Sequence, residues 1–417
     1  MKSPLCRLVL VPFAFLTLAF FAAQPAEGGD WPQWLGPNRD GSSTETIVPW
    51  KEKPKPAWRL RVGDGHSSPV VKGGKVYLHF KDKESEGETL ICVDGATGKQ
   101  EWEKTLPRNA FSNKFGNGPR ATPLIHKDKI FTYGASGQLA CHELADGKLL
   151  WKRDLLTDFG AKNLYFGASG SPVAVDDSVL VPVGGKGAAI VALNIADGST
   201  IWKAVDETST YSSPVVRPDG NVYFLSQGGV QVVSVKDGKP VAKFPLVDRL
   251  NESATTPVFL KDGLFASSVT YGGVFLDTKP GDNFLKSIWK KGALSCYFST
   301  PVPDASGDYL YMVTGALSLI APPSSNLKCV DVKTGNELWS RPKTGKYHAA
   351  LMRLADGKML LVDDFGDLRL FEPSKEKYNE LAVTRICGAT WAHPALCDGT
   401  LYIRDDGFLI AVKLPTK

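Results

Sequence analysis

Ser-Pro or Thr-Pro followed by small apolar residues recurs along the whole chain. The copies are Ser68-Pro69-Val70-Val71, Thr122-Pro123-Leu124-Ile125, Ser171-Pro172-Val173-Ala174, Ser213-Pro214-Val215-Val216, Thr256-Pro257-Val258-Phe259 and Thr300-Pro301-Val302. Two looser ones, His348-Ala349-Ala350-Leu351 and His393-Pro394-Ala395-Leu396, complete a set of eight. Neighbouring copies are spaced 42 to 54 residues apart. Repeats of this size, eight in tandem, predict an all-β, eight-bladed β-propeller.

Each unit reads as a four-stranded antiparallel blade. The Pro strand is followed by an alternating strand such as Lys75-Val76-Tyr77-Leu78, then a third such as Leu90-Ile91-Cys92-Val93. A turn closes the third strand at Gly98, Gly147, Gly198 or Gly335, where glycine supplies the positive φ. Four residues after that glycine stands Trp102, Trp151, Trp202 or Trp339. With Trp58 and Trp289 these place a docking tryptophan on the fourth strand, covering the preceding turn and filling the gap to the next blade. Unit four has Ala242 there, and unit seven offers Tyr378. Trp58 precedes the first unit, whereas the eighth unit lacks an outer strand of its own. Residues around Ala57 to Val62 are therefore expected to complete the last blade and close the ring, removing an exposed edge.

Three segments follow: a signal peptide over 1–26, an extended Pro-rich lead-in over 27–57, and the propeller over 58–417. Lys2 and Arg7 precede an apolar run from Leu8 to Ala23, short for a membrane span and followed by small residues. The protein is expected to be secreted or periplasmic, with no transmembrane span after leader cleavage. Six cysteines remain, and Cys92, Cys141 and Cys329 each lie six residues before a turn glycine, where the third repeat has Ala192. A position shared by Ala and Cys is a tight apolar slot, so these three are expected as free thiols. The formal net charge of +5 includes the two leader cations, and no Lys/Arg cluster stands out, which argues against a nucleic-acid partner.

The repeat alignment locates a candidate site. With the first strands lining the channel, the residues before each Pro position converge on one mouth. Directly before it stand Ser68, Thr122, Ser171, Ser213, Thr256, Thr300, His348 and His393; three before it stand His66, Arg120, Ser169, Tyr211, Ala254, Phe298, Lys346 and Trp391. The candidate ligand-binding set is His66, Arg120, Tyr211, Phe298, Lys346, His348, Trp391 and His393. Aromatic walls with a few polar groups suit a small ligand or a peptide, with Arg120 as the anchor for an anion. Ordinary strand-start capping is the competing reading of the hydroxyls. His66, His348 and His393 fall on neighbouring blades, but their offsets differ, and no metal site is expected from them. No G-x-S-x-G elbow or Walker loop is present, and no catalytic residue is assigned.

The repeat Thr-Gly-Lys-x-x-Trp followed by Ser-Pro-Val resembles that of the pyrroloquinoline-quinone (PQQ) propeller superfamily, which holds quinoprotein alcohol dehydrogenases and BamB-type assembly lipoproteins. The lead-in Asp30-Trp31-Pro32-Gln33-Trp34-Leu35-Gly36-Pro37-Asn38-Arg39-Asp40-Gly41 and Gly118-Pro119-Arg120-Ala121-Thr122-Pro123 resemble those of secreted bacterial PQQ-like repeat proteins. The dehydrogenases would imply a vicinal disulfide, calcium held by Glu, Asn and Asp, and a catalytic Asp. No Cys-Cys pair exists here and no matching acidic motif can be placed. A BamB-type protein would imply a lipid-bearing cysteine after the apolar run, whereas Cys6 precedes it. The expectation is a monomeric, non-catalytic binding or scaffolding propeller without cofactor, holding a protein, peptide or small ligand at its end face. PQQ and calcium belong only to the alternative, a quinoprotein oxidoreductase.

Overall fold

The turn glycines set the blade geometry. Gly98, Gly147, Gly198, Gly238 and Gly335 have φ between 67° and 73°, left-handed values that side chains resist. In the computed structural model, which describes residues 29–282, 284–315 and 323–416, the strands between them assemble into eight four-stranded sheets. The expected signal peptide lies outside the described residues. Blade 1 runs outward through Val70–Lys72, Lys75–Lys81, Gly87–Asp94 and Gln100–Pro107, each antiparallel to the next. Blade 8 consists of Ala395–Cys397, Thr400–Arg404 and Phe408–Lys413, and its outer strand is Pro56–Arg61. Trp58 pairs with Ala411, Arg59 with Ile410 and Leu60 with Leu409, so the ring closes as the repeat count requires. Among the described residues no helix is long and apolar enough to cross a membrane.

The tryptophans join blades through the following turn, not the preceding one. Trp58 Nε1 donates to the Gly95 carbonyl of blade 1 at 2.8 Å, and the series continues with Trp102 to Ala145, Trp151 to Ile195, Trp202 to Val235, Trp289 to Val332 and Trp339 to Ser374. The indoles of Trp58, Trp102, Trp151, Trp202 and Trp289 lie against Gly98, Gly147, Gly198, Gly238 and Gly335, where a Cβ would come within 2.6–2.7 Å of the ring. In blade 7 the register puts Ala382, not Tyr378, at the docking position. Tyr378 packs instead against Trp339, with ring centres 6.0 Å apart.

This packing explains the cysteines. Cys92 stands between Tyr77 and Trp102, Cys141 between Phe131 and Trp151, and Cys329 between Tyr311 and Trp339. A small residue in the third strand lets the ring of the second reach the indole of the fourth, at 5.8–5.9 Å between centres. All six cysteines of the described residues are free and buried. Cys329→Leu is expected to overpack this slot and cost about 1–3 kcal/mol, read as a lower urea midpoint; Cys329→Ala should cost less.

Residues 30–48 of the lead-in do not lie along the outside. They thread the channel and touch every blade. Trp31 exchanges two backbone hydrogen bonds with Val71 of blade 1, and the Pro32 carbonyl accepts from Ile125 of blade 2. Arg39 reaches the Ser171 and Pro172 carbonyls of blade 3 and the Pro214 carbonyl of blade 4. Trp34 Nε1 donates to Thr256 Oγ1 at 2.9 Å on the approach to blade 5. Gly41 packs against Val302 of blade 6, where a Cβ would meet the valine at 2.8 Å. Gly41 and Ser43 bond the backbone of Arg353 in blade 7, and Val48 donates to Pro415 beyond the last strand of blade 8. Asp30 accepts from Gly73, at the turn where the first strand of blade 1 ends. The strap thus fills the channel from that end and leaves the other end open.

Candidate functional site

The open end holds a cavity of about 580 Å³, within the range of small-ligand sites. Its wall is built by the segments that lead from each outer strand to the next Pro position. Seven of the eight blades contribute the residue three before that position: His66, Arg120, Ser169, Tyr211, Ala254, Phe298 and Trp391. Blade 7 is the exception. Its first strand, Ala349–Arg353, begins without a proline, and Tyr347 faces the cavity while Lys346 is exposed to solvent. The Asp364 carboxylate fixes this turn by accepting N–H groups from Lys346 at 2.8 Å and Tyr347 at 2.7 Å. His348 lines the cavity; His393 lies behind it, edge-on to Trp34 with centres 4.6 Å apart. Six of the eight candidate residues therefore surround one space, Lys346 does not, and His393 reaches it through Trp34.

Four of the six strand-start hydroxyls, those of Ser68, Ser171, Ser213 and Thr300, staple blades together. Thr122 N–H donates to Ser171 Oγ at 3.0 Å, Ser171 N–H to Ser213 Oγ at 2.9 Å, Thr256 N–H to Thr300 Oγ1 at 3.2 Å and His393 N–H to Ser68 Oγ at 2.9 Å. The last bond crosses the closure between blades 8 and 1. Each hydroxyl satisfies a backbone donor that the channel would otherwise leave buried and unpaired. These contacts bridge different blades, whereas capping would stay within one turn.

Aromatic rings arch across the cavity. Phe166 meets Tyr211 at 5.3 Å and Phe298 at 6.2 Å; Phe298 meets Trp391 at 5.1 Å, and Tyr347 meets Trp391 at 5.7 Å. Edge-to-face pairs at these separations are mutually stabilising. Trp34 contributes a further ring from the strap. Phe115 and Tyr165 extend the arch outward and stay 45% and 58% exposed. The offset from proline picks out Tyr211, Phe298 and Trp391. It misses Phe115, Phe166, Tyr297 and Tyr347, which sit elsewhere on the connecting segments; Tyr165-Phe166 and Tyr297-Phe298 were readable only as aromatic pairs ahead of a Pro position.

The polar groups are few and held in place. Arg120 donates to the carbonyls of Gly118 at 3.1 Å and Gly116 at 3.0 Å, within its own loop, and burial lowers its pKa to about 10, so it stays a cation at neutral pH. His66 Nε2–H donates to the Phe115 carbonyl at 2.8 Å; burial, with Arg120 nearby, lowers its pKa to about 4. Burial takes His348 to about 4 as well and His393 well below its ordinary value. These imidazoles are neutral at pH 7. Asp64 and Asp406 line the wall near Arg404, and burial raises the Asp406 carboxyl pKa. The calcium-quinone site that the resemblance brings to mind does not fit these residues. Calcium needs several convergent oxygens, and among the described residues no three His, Cys, Asp or Glu side chains gather.

Arg120→Ala is expected to lower the melting temperature by a few degrees, since two loop carbonyls lose their donor at about 1 kcal/mol each. An unchanged melting temperature would mean that the guanidinium is held for a ligand alone.

Comparison with known proteins places these features in context. The family described as outer membrane protein assembly factor BamB matches residues 86–341. An outer membrane protein assembly factor BamB of Shewanella oneidensis is 23% identical over 390 residues, covering 87% of this chain and 89% of that protein. One from Yersinia pestis is 25% identical over 252 residues, covering 56% and 61%. Among solved structures, quinohemoprotein alcohol dehydrogenase from Comamonas testosteroni superposes with a TM-score of 0.73 at 13% identity, covering 93% of this chain and 81% of that one. BamB from Moraxella catarrhalis superposes at 0.58 and 14% identity, covering 86% and 98%. At these identities the structural likeness shows the fold.

Proposed function

Because the chain belongs to the family described as outer membrane protein assembly factor BamB, a branch of the PQQ-like propellers, we propose that it is an exported, non-catalytic binding propeller that serves protein assembly in the outer envelope. Its working face is the open end, and its partner is a protein that seats an apolar segment on the aromatic arch. The observation that carries this reading is the pair Phe115 and Tyr165, large rings left exposed at the rim of an aromatic cavity. Exposed aromatics next to a concave apolar surface are the features that anchor protein contacts. The cup works without a cofactor in this reading.

The test is genetic and biochemical. Loss of the chain from its source cell should reduce folded β-barrel proteins in the outer membrane, and the intact chain should restore them. A Phe115→Asp/Tyr165→Asp double variant, correctly folded, should fail to restore them. Unchanged barrel levels on loss of the chain would overturn the reading. The quinoprotein alternative is decided separately: a quinone absorption change when the purified protein meets PQQ and calcium, with alcohol oxidation, would replace this proposal.

A further inference from the structure

Two imidazoles from neighbouring blades meet at the cavity wall, His348 of blade 7, which lines it, and His393 of blade 8, behind Trp34, with ring centres 5.6 Å apart and planes at 62°. Each residue is only 3% exposed. Each has a buried Nε2 with no hydrogen-bond partner. Buried polar atoms are paired as a rule, and an exception asks for a missing partner such as a water or an ion. Two such atoms on adjacent rings ask for a shared one.

We infer that His348 and His393 form a binding site for one imidazole-seeking transition-metal ion of the zinc type, set in the wall of the cavity beside Trp34. A zinc ion about 2.0–2.1 Å from each Nε2 holds two ring centres about 5–6 Å apart at ordinary bond angles, which matches the observed spacing. The protein supplies two ligands, and no third His, Cys, Asp or Glu joins them among the described residues. The remaining positions therefore belong to water or to a ligand in the cavity, which His348 lines. An outer partner that orients such a ligand is present at His348. Ser299 Oγ lies 3.3 Å from His348 Nδ1 and also accepts the Ala349 N–H at 3.1 Å. The His393 backbone is pinned by Ser68 Oγ at 2.9 Å, and its ring by the edge of Trp34. His66 stays outside the site, because its Nε2 is committed to the Phe115 carbonyl. The proposal is independent of the assembly reading and needs no partner protein for its test.

Titration of the metal-free purified protein with Zn²⁺, followed by calorimetry, should show one strong site per chain. His348→Gln and His393→Gln should each weaken it by at least about tenfold, whereas His126→Gln, on the surface, should leave it unchanged. No binding, or binding indifferent to both cavity substitutions, overturns the proposal. Should either variant fail to fold, crystals of the unaltered protein soaked in Zn²⁺ decide. An anomalous peak about 2.0–2.1 Å from both Nε2 atoms supports the site. An ordered water alone between the rings overturns it.

Discussion

Arg39→Ala is expected to destabilise the protein by about 3–5 kcal/mol, the cost of leaving three buried carbonyls without their charged donor at roughly 1–2 kcal/mol each. The residue is 6% exposed, and its guanidinium holds Pro214 at 2.7 Å, Ser171 at 2.7 Å and Pro172 at 3.1 Å through their carbonyls, with Gln33 at 3.2 Å. No carboxylate shares that set of bonds. The cation is solvated by the backbone of two blades, and burial lowers its pKa to about 9, so it remains charged at neutral pH. Removing it leaves three buried carbonyls without donors and empties the middle of the strap. Arg39→Lys should recover little, because a single ammonium cannot span the fork's contacts. The urea midpoint should fall with an unchanged slope. A midpoint equal to that of the unaltered protein would mean that the strap is not docked in solution.

The second large effect is a loss of stability in mild acid. Burial holds the folded pKa of His66 at about 4, of His79, buried beside Glu88 in the second strand of blade 1, at about 3 and of His348 at about 4, with His393 also depressed. An unfolded histidine titrates near 6.5. Below that pH the unfolded chain takes up protons that the folded chain refuses. The stabilisation is therefore complete above about pH 6.5 and is lost progressively down to about pH 4, and to about pH 3 for His79. Each fully buried histidine shifted by two units or more contributes about 3 kcal/mol to that loss. Glu88 acts in the opposite direction, since its buried carboxyl is raised, and it offsets a part. In metal-free buffer the net loss between pH 7 and pH 4.5 should be at least about 3 kcal/mol. Urea midpoints measured across that interval check it; a flat profile would mean that the histidines open to water without unfolding.

The two effects differ in how much of them could be read beforehand. The blades, their number and the closing strand were legible because they repeat. The Pro strand recurs in eight copies, the docking tryptophan in six and the turn glycine four residues before it in four, and a period survives missing members such as Ala242. The cavity was half legible for the same reason: a fixed distance from proline finds Tyr211, Phe298 and Trp391. It fails at Lys346, where the missing proline lets the strand start early and turns Tyr347 inward. The strap had no such signal. Trp31, Trp34, Arg39 and Gly41 each meet a different blade through a different kind of contact, so nothing in their spacing repeats. Read alone, the segment is an extended Pro-rich lead-in, whereas Arg39 and Trp31 are only 6% and 3% exposed in the folded chain. The hydroxyl ring was found by alignment, but its task was not, because a bond from one blade to the next has no signature in either blade's own sequence.

The strap also has a consequence in time. A chain synthesised from its N-terminus presents residues 30–48 before any blade, yet their partners are spread over all eight blades and end at Pro415 and Thr416. The strand Pro56–Arg61 likewise waits for Phe408–Lys413. The earliest segment to emerge is the last that can be placed, and until the final residues arrive the nascent propeller is an open arc with its channel empty and one edge unpaired. Closing the ring needs both termini at once. Refolding should accordingly show a slow final phase that buries Trp31 and Trp34 after the blades have formed, and the aggregation-prone lifetime of the protein is the interval before that phase.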